Sequence, residues 1–163
     1  MKNYKLLSII LFCVLLAIAA KFLMLCPAIN AIYQKNYYDP QWGRGECKST
    51  VVLVEHTPIT HQQKIELWNV SKHDLLKKWT PLTNNKCDDV LFVSNNTEQV
   101  IDSMGMKEWI GEEQICLEGK LGSGKCISRN ERLFYVVRDK PLSNRDIKDT
   151  TNDETFYLHF VDN

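Results

Sequence analysis

The sequence predicts an α+β fold: one amino-terminal transmembrane helix, then a small domain in which a mainly antiparallel sheet packs on one amphipathic helix. Three observations lead there. An apolar run near the amino end is long enough to cross a bilayer. A β-branched strand is followed by a helix with a complete capping signal. Several short strand-like segments, separated by turn residues, come after it.

The apolar run is residues 6–26. LLSIILFCVLLAIAA holds a single polar residue, and FLMLC resumes after Lys21. As a helix it rises roughly 31 Å, against a hydrocarbon core of about 30 Å. Lys21 lies near the outer end, where its stem can carry the ammonium to the interface, and Pro27 stops the helix. The competing interpretation is a secretory signal, because Ala17-Ile18-Ala19 is an A-x-A site; the apolar stretch continues past it, which favours an uncleaved anchor. Lys2 and Lys5, with no acid near them, hold the amino end in the cytoplasm. The expected organisation is therefore an anchor or uncleaved signal at 1–27, single-pass in a bacterial inner membrane, and a periplasmic α+β domain at 28–163.

Within that domain, Ala28–Gln34 is short and moderately apolar, and the turn-rich, aromatic NYYDPQWGRGE comes next. Thr50–His56 (TVVLVEH) reads as a strand that Pro58 ends. Thr60 and Gln63 form a capping box, and the run to Trp79 is the clearest helix in the chain. It places Ile65, Trp68, Leu75 and Trp79 near one face, the expected core side. Lys64, Lys72, Lys77 and Lys78 fall on the other, a solvated face and the possible partner surface. Asp88–Ser94 (DDVLFVS) is a second strand. Thr97–Trp109 is ambiguous, with a short helix broken near Gly105 as one option. Glu112–Leu117 and Cys126–Val137 read as two strands around a glycine loop, Arg138–Asp153 as polar loop, and Thr155–Val161 (TFYLHFV) as a final strand.

The glycine loop, EGKLGSGKC at 118–126, is one residue away from a phosphate-binding loop, with Cys126 where Ser or Thr belongs. Such a loop needs a helix beginning at its lysine, and ISRNERLFYVV instead continues as strand. The glycines serve a turn that can bring Cys116 and Cys126 face to face. Neither nucleotide nor any other cofactor is expected. With 17 basic and 20 acidic residues, 27–163 carries a charge of −3, which gives no reason to expect nucleic acid.

Four cysteines lie outside the apolar segment: Cys47, Cys87, Cys116 and Cys126. An even number in an exported domain argues for disulfides, with three possible connectivities. Zinc is disfavoured because no Cys-x-x-Cys occurs and no His lies close to any of them. His56 and His61 flank Pro58 without shared periodicity, and HExxH and GxSxG are absent. Asp88-Asp89 and Glu112-Glu113 are adjacent on strands, so each pair points to opposite faces. No catalytic or metal-binding residue is singled out, and the chain is expected not to be an enzyme.

The order of features resembles a small enterobacterial membrane-protein family, domain of unknown function 943. The similarities begin with a membrane helix ending near a proline and PAINAIYQ as a short strand. They continue with the strand and capped helix VVLVEHTPITHQQKIELWNVSKHDLLKKW, and a cysteine pair in ICLEGKLGSGKCISRN. The block at 51–79 is the most specific, with Leu67-Trp68 standing where the family has paired tryptophans. The resemblance implies a membrane-anchored envelope protein with no assigned activity, and a Cys116–Cys126 disulfide. Cys47 and Cys87, outside the pattern, are then left as the second bond.

The functional expectation is a binding module: a domain tethered to the bilayer through 6–26 that engages another protein in the periplasm, an immunity protein against a delivered toxin being one specific form. The alternative is an envelope hydrolase with a dispersed carboxylate or His site. A cleft holding two carboxylates, or a His of strongly shifted ionisation, is what would favour it.

Overall fold

A computed structural model describes residues 11–12, 27–38, 46–83, 87–99 and 107–161. Among these residues nine strands and one long helix occur in the order β1 (Ala28–Tyr38), β2 (Glu46–Glu55), α1 (His61–Trp79), β3 (Asp89–Ser94), β4 (Thr97–Gln99), β5 (Gln114–Ile115), β6 (Lys125–Ser128), β7 (Arg132–Arg138), β8 (Ile147–Thr151) and β9 (Glu154–Phe160). This is the expected α+β class. Of the apolar segment 6–26 only Leu11 and Phe12 are described, both helical, and the rest lies outside the described residues. Among the described residues no helix is long and apolar enough to cross a membrane.

The main sheet has the order β1-β2-β3-β7-β9-β8 and is antiparallel except between β2 and β3. That parallel pair needs a crossover, which α1 supplies. Its strands read TVVLV and DVLFVS, continuous apolar runs, because both faces of the sheet are covered. Val52, Val54, Val90 and Phe92 face one core together with Leu67, Trp68 and Leu75 of α1. Val51, Leu53, Leu91 and Val93 face the other, which is closed by Trp109, Ile115, Leu117 and Ile127 around the small sheet β4-β6-β5. The architecture is thus helix, six-stranded sheet, three-stranded sheet.

The capping box forms as the sequence predicts. Thr60 Oγ1 accepts from Gln63 N at 3.2 Å, and Gln63 Oε1 accepts from the amides of Ile59 and Thr60. Trp68 and Leu75 are buried; Ile65 and Trp79 are half-buried against the same core. Trp68 meets the rings of Phe92 and Phe156 edge-on, with centroids at 6.3 and 5.9 Å.

Several elements differ from the sequence expectation. β1 runs on through Asn36-Tyr37-Tyr38, because β2 begins at Glu46 and offers a partner as far as the Tyr38–Glu46 pair. The expected strand 126–137 is two strands broken by a 3-10 turn at Arg129–Glu131, so β6 joins the small sheet and β7 the large one. Thr97 opens a strand rather than a helix; Gly105 lies outside the described residues. The polar stretch 138–153 contains β8, an edge strand whose Lys148 and Thr150 are exposed and blunt the sheet edge, while Asp149 is half-buried.

Candidate functional site

The cysteines set the frame. Cys116 follows β5 directly and is bonded to Cys126 of β6 with a Cα separation of 4.2 Å; Cys47 at the start of β2 is bonded to Cys87 just before β3, with Cα atoms 5.4 Å apart. Asp88, buried next to the second bond, accepts from the amides of Lys48 and Thr83 at 2.7 Å each and from the Thr83 hydroxyl. Gly119, Gly122 and Gly124 all take positive φ in the loop between the first pair. That loop leads into β6, a strand, so the helix amino end that a phosphate loop requires is missing there.

The lysine face of α1 is not uniformly solvated. Lys64 is buried. A bulge in β7 leaves Leu133 out of register with β3, and its carbonyl accepts from both Val161 N and Lys64 Nζ, the latter at 3.0 Å. The same ammonium lies 5.9 Å from the centroid of the Phe160 ring. Lys72 pairs with Asp149 of β8 at 2.9 Å. Of the four lysines, Lys77 and Lys78 are exposed as expected; burial and pairing take Lys64 and Lys72 out of a solvated face.

A groove of about 870 Å³ opens where β7, β8 and β9 meet the start of α1. Arg129, Arg132 and Arg145 line it, with His61 and His159. The only carboxylate among the described residues of its wall is Asp146, whose side chain is 1 % exposed and accepts from Ser143 Oγ at 2.6 Å, from the amides of Leu142 and Ser143, and pairs with His159 Nδ1 at 2.8 Å. Burial pushes this carboxyl up, but the hydrogen bonds from Ser143 and His159 outweigh it and hold Asp146 below the usual carboxylate range. Arg132 donates Nη2 to the Gly111 carbonyl at 2.9 Å, while its buried Nε has no hydrogen-bond partner. Tyr135 forms part of the wall; burial raises its phenol, against the pull of Arg132. The lining therefore presents guanidinium groups, with its acid turned inward.

A second pocket, about 450 Å³, brings together Asp89 of β3, Glu108, and Glu118 from the loop after β5, with Ser49 and Trp109. Period-two alternation puts Asp89 in phase with Leu91 and Val93, toward the small sheet, and Asp88 on the opposite face. Glu118 is paired with Lys35, and Trp109 Nε1 donates to Ser49 Oγ at 3.1 Å. The buried Asp89 Oδ1 has no hydrogen-bond partner. Burial pushes the carboxyl up to about 7, the Ser49 hydroxyl drawing it back and the Asp88 charge adding to the rise. Neither adjacent acid pair in the sequence makes this pocket; carboxylates far apart in the chain do. Glu112 and Glu113 are exposed and outside it. The only sequence signal was an acid opening a strand buried on both faces.

A third cavity, about 760 Å³ and mainly apolar, lies between β1 and the later half of α1, beginning at Pro27. Among the described residues no group of three or more His, Cys, Asp or Glu is placed to hold a metal ion.

No curated protein and no solved structure matches the chain. The family model described as "Enterobacterial putative membrane protein (DUF943)" matches residues 1–160, nearly the full length, and the chain belongs to that family.

Proposed function

We propose that this is an inner-membrane envelope protein, anchored through 6–26 with its amino end in the cytoplasm, whose periplasmic domain binds another protein. The contact site is the arginine groove and the ligand an acidic segment of the partner; an immunity protein that captures a delivered toxin is one specific form. The observation that carries this proposal is the convergence of Arg129, Arg132 and Arg145 in one groove where the single carboxylate among the described wall residues is consumed internally. Arginine forks pair bidentately with carboxylates and are enriched at interface hot spots. The test is affinity capture from cross-linked, solubilised envelope with the natural protein and with Arg129→Glu. Arg129 is exposed, so the change leaves folding intact. A protein partner captured by the natural chain and lost with Arg129→Glu is the expected result. Capture of no protein at all sinks the binding module, and a partner retained by the variant moves the contact elsewhere.

The hydrolase alternative is favoured by one observation, the Asp89 pocket. A buried carboxyl that still holds its proton near neutral pH, in a pocket that Glu108 also lines, is the kind of group a general acid requires. Release of soluble fragments from isolated envelope glycan, abolished in both Asp89→Asn and Glu108→Gln, supports it. No release by the natural protein removes it.

A further inference from the structure

The apolar cavity between β1 and α1 has walls built by Ile29 and Ile32 on one side and Leu67, Leu75 and Trp79 on the other. Its volume, about 760 Å³, falls in the range of roughly 300–1,000 Å³ typical of sites that take small organic ligands. Val70, 84 % exposed, is also part of its lining.

Three features of the cavity specify what covers it. Pro27 forms one end, and it is the residue immediately after the apolar segment 6–26. Two residues further on, Ile29 can lie no more than about 7 Å from the point where the chain leaves the bilayer. Lys77 and Lys78, both exposed in the last turn of α1, border the cavity with one acid, Asp74, so its rim is net positive. Trp79 closes the helix end half-buried, and tryptophan beside lysine is the pairing that settles at head-group level.

We propose that this groove takes an acyl chain of an anionic phospholipid, with the lipid phosphate held by Lys77 and Lys78. The domain then lies against the membrane on its β1–α1 side, leaving the arginine groove open to a partner. The proposal rests on the anchoring of 6–26 but not on the identity of any protein partner.

The test uses the full chain in vesicles of phosphatidylcholine with increasing phosphatidylglycerol, the latter brominated in its acyl chains, with vesicle flotation measured on the same samples. Bromine quenches tryptophan on contact, and the contribution of Trp79 is the quenching lost in Trp79→Phe. The expected result is that brominated phosphatidylglycerol quenches Trp79. Lys77→Gln with Lys78→Gln should weaken the apparent affinity of the groove for phosphatidylglycerol by roughly fivefold per charge removed. Val70→Glu, at an exposed position, should reduce Trp79 quenching without touching the core, and it serves if Trp79→Phe perturbs folding. Protein that floats with the vesicles but whose Trp79 is unquenched overturns the lipid site and leaves the anchor standing. Quenching indifferent to both lysines overturns the head-group contact, and protein that does not float at all overturns anchor and lipid site together.

Discussion

The indole of Trp68 donates its Nε1–H to Asp149 at 2.8 Å across 81 residues of sequence, and Lys72 meets the same carboxylate at 2.9 Å. One acid on an edge strand therefore satisfies a fully buried tryptophan and neutralises a half-buried lysine, fixing α1 over β8 and β9.

Removing that acid leaves a buried N–H without a partner. Asp149→Ala should cost roughly 1–3 kcal/mol in denaturant unfolding. Lys72→Ala should cost less, about 1 kcal/mol, where the sequence alone predicted no effect for a solvated lysine. Burial raises the Asp149 carboxyl, but hydrogen bonds from Lys72 and Trp68 outweigh this and hold it below its ordinary value. Its contribution is therefore complete above the unfolded carboxylate value of about 3.9 and is lost as pH falls through the lower folded value. Asp149→Asn should flatten stability over that acidic window; an unchanged pH profile excludes the tie.

The two tryptophans of α1 should separate. Trp68 is fully buried between Phe92 and Phe156, so Trp68→Ala should cost about 3–5 kcal/mol. Trp79 is half-buried at the helix end and should cost clearly less than Trp68 in the same assay. Equal losses mean that Trp79 is more deeply packed than its position beside the apolar groove allows.

Asp89 should make stability fall between acid and neutral pH. Its folded value, about 7, lies above the unfolded one, so the native state holds a proton that the unfolded chain releases. The penalty is absent well below pH 4, grows as pH rises, and is complete above the folded value, on the order of 4 kcal/mol at most. Asp89→Asn should therefore stabilise the protein at pH 8 and leave it nearly unchanged at pH 3.5. Destabilisation at pH 8 means that the charged form has a partner in the folded protein.

The parts of the fold that were legible in the sequence are those specified locally. Thr60 and Gln63 announce the helix start, and TVVLV and DVLFVS announce strands covered on both faces. The remainder depends on pairing at a distance. β8 is too polar to look like a strand and exists because β9 offers it a ladder. A 3-10 turn at Arg129–Glu131 divides one apolar-looking run between two sheets. Lys64 looked solvated because nothing local reveals the bulge that turns the Leu133 carbonyl toward it. The grooves were hidden for the same reason: Arg129 and Arg145 come from different loops, and Asp89, Glu108 and Glu118 come to line one pocket only after the small sheet closes over the large one.

Two disulfides frame the domain, and such a framework persists in an oxidising compartment outside the cytoplasm. On a chain-entropy basis the 10-residue and 40-residue separations are worth roughly 2.5–3 and about 4 kcal/mol. Peptide mapping without reduction, on protein recovered from the envelope after thiol blocking in intact cells, reads the bonds and the compartment together. The expected outcome is Cys116 linked to Cys126 and Cys47 linked to Cys87, with none of the four captured by the blocking reagent. Four free or metal-bound thiols in that sample would contradict both the framework and the outward placement of the domain.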